Sequence, residues 1–280
     1  MRIANTTAGF AVAHPDGGWV ALSDLGITAT DTADVIAAAG DILPALATAP
    51  RGREDLVLTC PIVRPSKIVA IGLNYLDHVR ETGAKVPERP VVFAKFPSAL
   101  TAPGAPIVVD PELTEQADYE AELAVVIGRR ARRVTRERAL EHVFGYAVAN
   151  DVTARDWQRR DGQFDRAKGF DTFLPIGPWI TSVDEVPDPQ ALPVRTWVDG
   201  ELRQDSSTSE MVFGVAELIE FLSRGMTLEP GDVIVTGTPH GVGFAMDPPR
   251  FLAPGDVVRC RIDPLGELEN PVVGPVPPSA

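Results

Sequence analysis

Apolar and polar positions alternate with period two along residues 118–127, Asp-Tyr-Glu-Ala-Glu-Leu-Ala-Val-Val-Ile, and this predicts a β-strand. Tyr119, Ala121, Leu123, Val125 and Ile127 share one face; Glu120 and Glu122 lie side by side on the other, followed by Ala124 and Val126. Further strands are predicted at Lys67–Gly72, Val91–Lys95, Val143–Ala149, Val233–Gly237 and Val257–Ile262, and Asp199-Gly200 joins Arg195–Val198 to Glu201–Gln204 as a hairpin. Helical spacing is rarer. Asp31 caps a helix running to about Leu46, with Val35, Ile36, Ala39, Ile42 and Leu46 apolar, and Gly40 and Pro44 predict an early break in it. Val212–Leu222 is amphipathic, with Val215, Leu218, Ile219 and Leu222 inward. Short helices are expected before Gly83, near 135–142, and from Thr153 to about Arg160.

Punctuation divides the 280 residues into three stretches. Short strands at Arg2–Ala4, Gly9–Ala13 and Trp19–Leu22, with the Asp31 helix, make 1–65 a small separate α+β unit. Residues 66–270 form the main domain, and 271–280 a Pro-rich tail that frays. The 24 Gly and 26 Pro favour turns and short strands over a helical bundle. A net charge of 26 − 39 = −13 argues against nucleic acid or an anionic membrane as partner. Arg129–Arg138 is a basic patch without interleaved aromatics and reads as a solvated face. No apolar run reaches transmembrane length, the N-terminus lacks a signal-peptide core, and the two cysteines, Cys60 and Cys260, form no C-x-x-C; a cytoplasmic protein is expected.

Several residues suggest chemistry, each with a plainer alternative. Glu120 and Glu122 repel one another on one strand face. Either the strand is an edge whose glutamates face water, or a hard divalent cation relieves the repulsion. His78 and Glu81, three apart on a helix, form either a surface ion pair or an orientated general base. Asp151 follows a strand end and either caps the next helix or holds a ligand. Arg155 and Gln158 share a helix face. The chain has 22 Arg but four Lys, so Lys168 in a Gly/Phe-rich loop draws notice, although most lysines are simply solvated. The glycines of Thr238-Pro-His-Gly-Val-Gly243 would let backbone amides approach a ligand.

Taken together, Gly72-x-Asn74-Tyr75-x-x-His78-x-x-Glu81, Asp118-Tyr-Glu-Ala-Glu-Leu123, Gly145-Tyr-x-x-x-Asn150-Asp-Val-Thr-Ala-Arg-Asp156, Lys168-Gly-Phe-Asp171, Gly237-Thr-Pro239 and Leu252-x-Pro-Gly-Asp256 resemble the fumarylacetoacetate hydrolase superfamily, from about Lys67 to Asn270. Six motifs in the family's order make the resemblance specific. It implies an α+β, predominantly β fold of layered mixed sheets with a β-roll, a variable N-terminal domain, a homodimer, and one Mg²⁺ or Mn²⁺ per subunit. By position, Glu120, Glu122 and Asp151 match metal ligands, His78, Glu81 and Lys168 catalytic residues, and Tyr75, Arg155, Gln158 and Thr238 substrate contacts; His240 has no assigned part. The implied substrate is a small 2-oxo acid whose enolate the metal stabilises. C–C hydrolysis of an acylpyruvate or fumarylpyruvate in aromatic-acid breakdown, with His78 and Glu81 activating water, is the leading expectation. The alternatives are oxaloacetate decarboxylation, 2-hydroxyhepta-2,4-diene-1,7-dioate isomerisation, and a metal-binding protein without catalysis.

Overall fold

Residues Ala121–Ile127 form a strand buried at every position, which requires packed layers on both of its faces. The computed structural model describes residues 1–54 and 56–275 and supplies those layers. The fold is α+β and predominantly β. The large sheet runs in the order Trp19–Ala21, Gly9–Ala13, Arg2–Thr6, Leu174–Ser182, Val143–Asn150, Ala121–Ile127, Val233–Val235, Ile68–Gly72, Val91–Lys95. Along this path Val233–Val235 is parallel to Ile68–Gly72, and the other neighbours pair antiparallel. A five-stranded sheet, ordered Glu201–Ser207, Pro193–Val198, Val257–Ile262, Gly266–Val273, Ile107–Val108, covers one face.

The alternation predicted for 118–127 sorts the residues between two cores. Leu123, Val125 and Ile127, with Tyr146 and Val148, pack toward Val194, Val258, Cys260 and Leu268 of the smaller sheet and toward Leu218, Ile219 and Leu222 of the helix Val215–Gly225. Ala124 and Val126, with Ala147 and Ala149, pack toward Phe10, Val12, Val35, Ile42 and Leu46. Small alanines on that side admit the bulkier N-terminal side chains.

Several local expectations are refined. The 118–127 strand is interrupted: Ala117–Asp118 pairs with Thr153–Ala154, and the long strand restarts at Ala121. That pairing holds Thr153 and Ala154 extended, so the following helix spans Arg155–Asp161 and carries no side-chain cap. Asp151 therefore does not cap it. Asp31 does cap its helix, accepting from Asp34 N at 2.9 Å; that helix breaks at Ala38, ahead of Gly40 and Pro44, into Thr32–Ala37 and Ala39–Leu46. Asp199 and Gly200 have φ of 52° and 79°, the left-handed pair that a tight hairpin turn needs. The first 65 residues are not separate in backbone hydrogen bonding, because Arg2–Thr6 pairs directly with Leu174–Ser182. The tail begins later than expected, since Gly266–Val273 is a strand; residues 276–280 lie outside the described residues. No helix among the described residues is long and apolar enough to cross a membrane.

Candidate metal centre and acid–base pair

Strand register brings three carboxylates together. Ala121 pairs with Asn150, and Asp151 N donates to Glu120 O at 2.8 Å, so the end of one strand sets Asp151 beside Glu120. Asn150 Oδ1 accepts from Glu120 N at 3.0 Å and fixes the irregular residue. Glu122 lies two residues into the strand, and its Oε2 accepts from Gly237 N at 2.6 Å. Glu120, Glu122 and Asp151 are all buried, and one ligand oxygen from each lies within 4.8 Å of the others.

Cations surround this cluster unevenly. Lys168 Nζ donates to Glu120 Oε2 at 2.6 Å and Asp151 Oδ2 at 2.8 Å. Lys95 Nζ pairs with Asp151 Oδ1 at 2.7 Å and donates to Phe173 O at 2.8 Å. Arg155 Nη2 pairs with Glu120 Oε1 at 2.6 Å, and Nε with Asp118 Oδ2 at 2.9 Å. Burial works against the charged form of Glu120, but Lys168 and then Arg155 outweigh it and hold the carboxyl down at about 2. Burial lowers the Lys95 ammonium. On Lys168 burial is outweighed by Asp151 and Glu120, which raise it. Glu122 alone of the three carboxylates makes no ion pair among the described residues, and the Lys168 charge offsets its burial only in part. Burial, then the Asp151 and Glu120 charges, push it well above the ordinary glutamate range. An all-oxygen donor set with one uncompensated carboxylate fits a hard divalent cation.

Glu120 and Glu122 line a cavity of about 320 Å³, walled by Ile71, Leu73, Phe164 and Phe244 and reached by His78, Arg155, Gln158, Lys168 and Thr238. A larger hollow of about 490 Å³, near Trp19, Leu25 and Arg53, holds none of the residues singled out in the sequence. His78 sits on the helix Leu76–Thr82, which Gly83 ends at φ 65°. Its Nδ1 meets Glu81 Oε2 at 3.1 Å, and its ring stands edge-on to Phe244. Glu81 is held from its other side, Oε1 accepting from Gly241 N at 2.8 Å. The pair is thus orientated, with His78 buried and Glu81 on its more open side.

The expected substrate contacts divide. Gln158 accepts from Arg155 Nη1 at 3.1 Å through Oε1, which leaves its amide NH₂ for a ligand. Thr238 donates its hydroxyl to Ala121 O at 3.0 Å and accepts from Gln204 Nε2 at 2.8 Å, so the side chain fastens its loop to the strand and has no proton left to offer. Arg155 is committed to Asp118, Glu120 and Gln158 and lies over the Phe244 ring, 4.4 Å from its centroid. Its first task is to position Glu120. Tyr75 is fully buried in the core and absent from the cavity wall, which corrects the expectation of a substrate contact; burial, then Glu122 and Asp77, raise its phenol well above the usual range. His240 bonds Asp205 O through Nε2 at 3.2 Å and does not line the cavity.

Sequence reasoning gave no role to Lys95 or Asp118. Lys95 had a signal: it occupies an inward position of the strand Val91–Lys95, where a lysine needs a partner. Asp118 accepts from Gly243 N at 2.7 Å and Phe244 N at 3.1 Å, contacts that only the folded chain reveals.

Residues 67–273 match the family described as fumarylacetoacetate (FAA) hydrolase C-terminal. The oxaloacetate tautomerase YisK of Bacillus subtilis is 49% identical over 222 residues, 78% of this chain and 74% of that protein. A mitochondrial oxaloacetate tautomerase of Xenopus laevis is 48% identical over 223 residues, 79% and 70% of the two chains. Among solved structures, fumarylacetoacetate hydrolase from Exiguobacterium antarcticum superposes with a TM-score of 0.87 at 40% identity, covering 98% of this chain and all of that one. Maleylpyruvate hydrolase from Sphingobium, solved with manganese(II) and pyruvate, gives 0.81 at 33% identity, covering 99% and 100%. The matched stretch carries the triad, the His78–Glu81 pair, the five-stranded sheet and the part of the large sheet that holds the triad, and the chain belongs to the fumarylacetoacetate hydrolase family of enzymes.

Proposed function

We propose that the protein is a divalent-cation-dependent tautomerase that interconverts the keto and enol forms of a short 2-oxo acid of the oxaloacetate type. The observation that carries this reading is the convergence on one cavity of His78, orientated by Glu81, with Glu120 and Glu122 of the buried carboxylate triad. Glu120, Glu122 and Asp151 would hold one Mg²⁺ or Mn²⁺ per chain, and a bound ion there supplies a Lewis acid that polarises the 2-oxo group. Glu81, as carboxylate, fixes the proton on His78 Nδ1 and leaves Nε2 as a base. That nitrogen takes a proton from the carbon beside the oxo group while the enolate oxygen gains one from solvent, and in the reverse direction the hydroxyl proton leaves to solvent as the carbon regains its proton. Lys168 contributes positive charge to the wall, and the free amide of Gln158 donates to a substrate carboxylate oxygen. The relatives at 48–49% identity named oxaloacetate tautomerases support this choice of reaction.

The second reading, hydrolysis of a C–C bond in a 2,4-dioxo acid, keeps every residue in place and gives His78 a water proton to remove. The likeness to maleylpyruvate hydrolase supports it. Decarboxylation or diene isomerisation would use the same residues. A cytoplasmic homodimer acting on a free small-molecule acid completes the proposal, and two unbridged cysteines are in keeping with that compartment.

The two reactions separate by proton NMR with Mg²⁺ present. Oxaloacetate added as enol should relax to its keto–enol equilibrium at a rate proportional to enzyme, while acetylpyruvate persists. Acetylpyruvate breaking down to acetate and pyruvate, with enol decay at the buffer rate, would replace tautomerisation by hydrolysis.

A further inference from the structure

Three cationic side chains of the helices beside the cavity face it: Arg155, Lys168 and Arg159. Two are committed. Lys168 bonds Glu120 and Asp151, and Arg155 bonds Asp118, Glu120 and Gln158. Arg159 differs, since among the described residues its guanidinium meets only a neutral partner, the side-chain oxygen of Gln116. It is exposed and, among the described residues, pairs with no carboxylate, although the chain carries 39 acidic residues.

Its position on the helix Arg155–Asp161 gives that free charge a direction. Arg155, Gln158 and Arg159 are three and four residues apart and share the face that lines the cavity. Arg155 is at the buried end, bonded to a triad carboxylate, and Arg159 is one turn further out, roughly 6 Å along the axis. That separation is on the scale of a four- or five-carbon diacid. Phe164 and Phe244 form apolar walls between, which exclude water from a carbon chain lying along the helix.

We infer that Arg159 determines specificity: its guanidinium binds the carboxylate distal to the 2-oxo group, and the cavity selects oxo-diacids over oxo-monoacids. This rests on the 2-oxo acid chemistry proposed above and deepens it. A charge-assisted bond to carboxylate is stronger than the bond to the Gln116 amide that it displaces. No covalent step involves Arg159, which acts on binding alone.

Oxaloacetate and 2-oxobutyrate make the test, because they differ in whether the far carbon is a carboxylate or a methyl. Titration calorimetry on the Mg²⁺-loaded protein gives Kd for each, and proton exchange at C3 in D₂O, followed by NMR, reports the reaction separately. Wild type should prefer oxaloacetate by a factor on the order of ten to a hundred. Arg159→Ala should bring that ratio close to one, and Arg159→Lys should keep an intermediate value. A wild-type ratio near one, or a ratio that survives Arg159→Ala, overturns the assignment. If Arg159→Ala collapses the ratio but wild type exchanges neither proton, the recognition role stands and the proposed reaction falls.

Discussion

Glu122 concentrates the electrostatic tension of the site in one residue. It is buried beside Glu120 and Asp151 with a single backbone amide for support, and its carboxyl is held well above the ordinary range. A raised folded-state value means that the native chain binds this proton more tightly than the unfolded chain does. Without metal, stability should therefore fall as pH rises above the ordinary glutamate range. Glu122→Gln removes the charge but keeps the shape. In EDTA at pH 8 it should raise Tm by roughly 2–8 °C, because a buried uncompensated charge costs a few kcal/mol in a chain of this size, and it should flatten the pH dependence. Added Mg²⁺ should stabilise wild type and leave the variant unmoved. Differential scanning calorimetry reads all of these; a variant less stable than wild type in EDTA would mean that Glu122 is not the uncompensated charge. The glutamate pair was legible in the sequence because alternation placed both on one face. That Glu122 rather than Glu120 lacks a cation was not, since Arg155, Lys168 and Lys95 arrive from positions 35, 48 and 25 residues away from Glu120.

Two elements meet over the cavity, the helix Leu76–Thr82 and the loop after Val235, and Glu81 joins them through Gly241 N at 2.8 Å. Gly241 has φ +95°, and a Cβ there would lie 2.1 Å from Arg203 O. Gly241→Ala must shift the loop and withdraw its amide from Glu81. Turnover should then drop roughly ten- to a hundred-fold, the cost of misplacing a reacting group by about an ångström, while Mn²⁺ affinity measured by EPR stays within a few-fold of wild type. Equal losses in both would tie the loop to the triad instead of the acid–base pair. At this scale the sequence spoke clearly where periodicity ruled, as in Val215–Gly225 and both faces of 121–127. It misled at 151–155, where Asp151 resembled a helix cap. Pairing of Thr153–Ala154 with Ala117–Asp118, more than thirty residues earlier, delays the helix and frees Asp151 for the carboxylate cluster.

In the whole molecule the N-terminal segment extends the same sheet that carries the triad, through the pairing of Arg2–Thr6 with Leu174–Ser182. Its punctuated short strands read as a separate unit because turn chemistry is local, whereas membership of a sheet is decided by a partner strand more than 170 residues away. The result is a central sheet packed on both faces, with Glu120, Glu122 and Asp151 held by adjoining strand ends whose neighbours are buried. Such a frame presents a rigid set of oxygens. The proposed chemistry requires these three carboxylates to hold one divalent ion. Crystals soaked in Mn²⁺ test it most directly: the anomalous difference map should show one peak per chain within bonding distance of an oxygen from each of Glu120, Glu122 and Asp151. A map with no peak there, or a peak bound elsewhere while the enzyme still turns over, would contradict it.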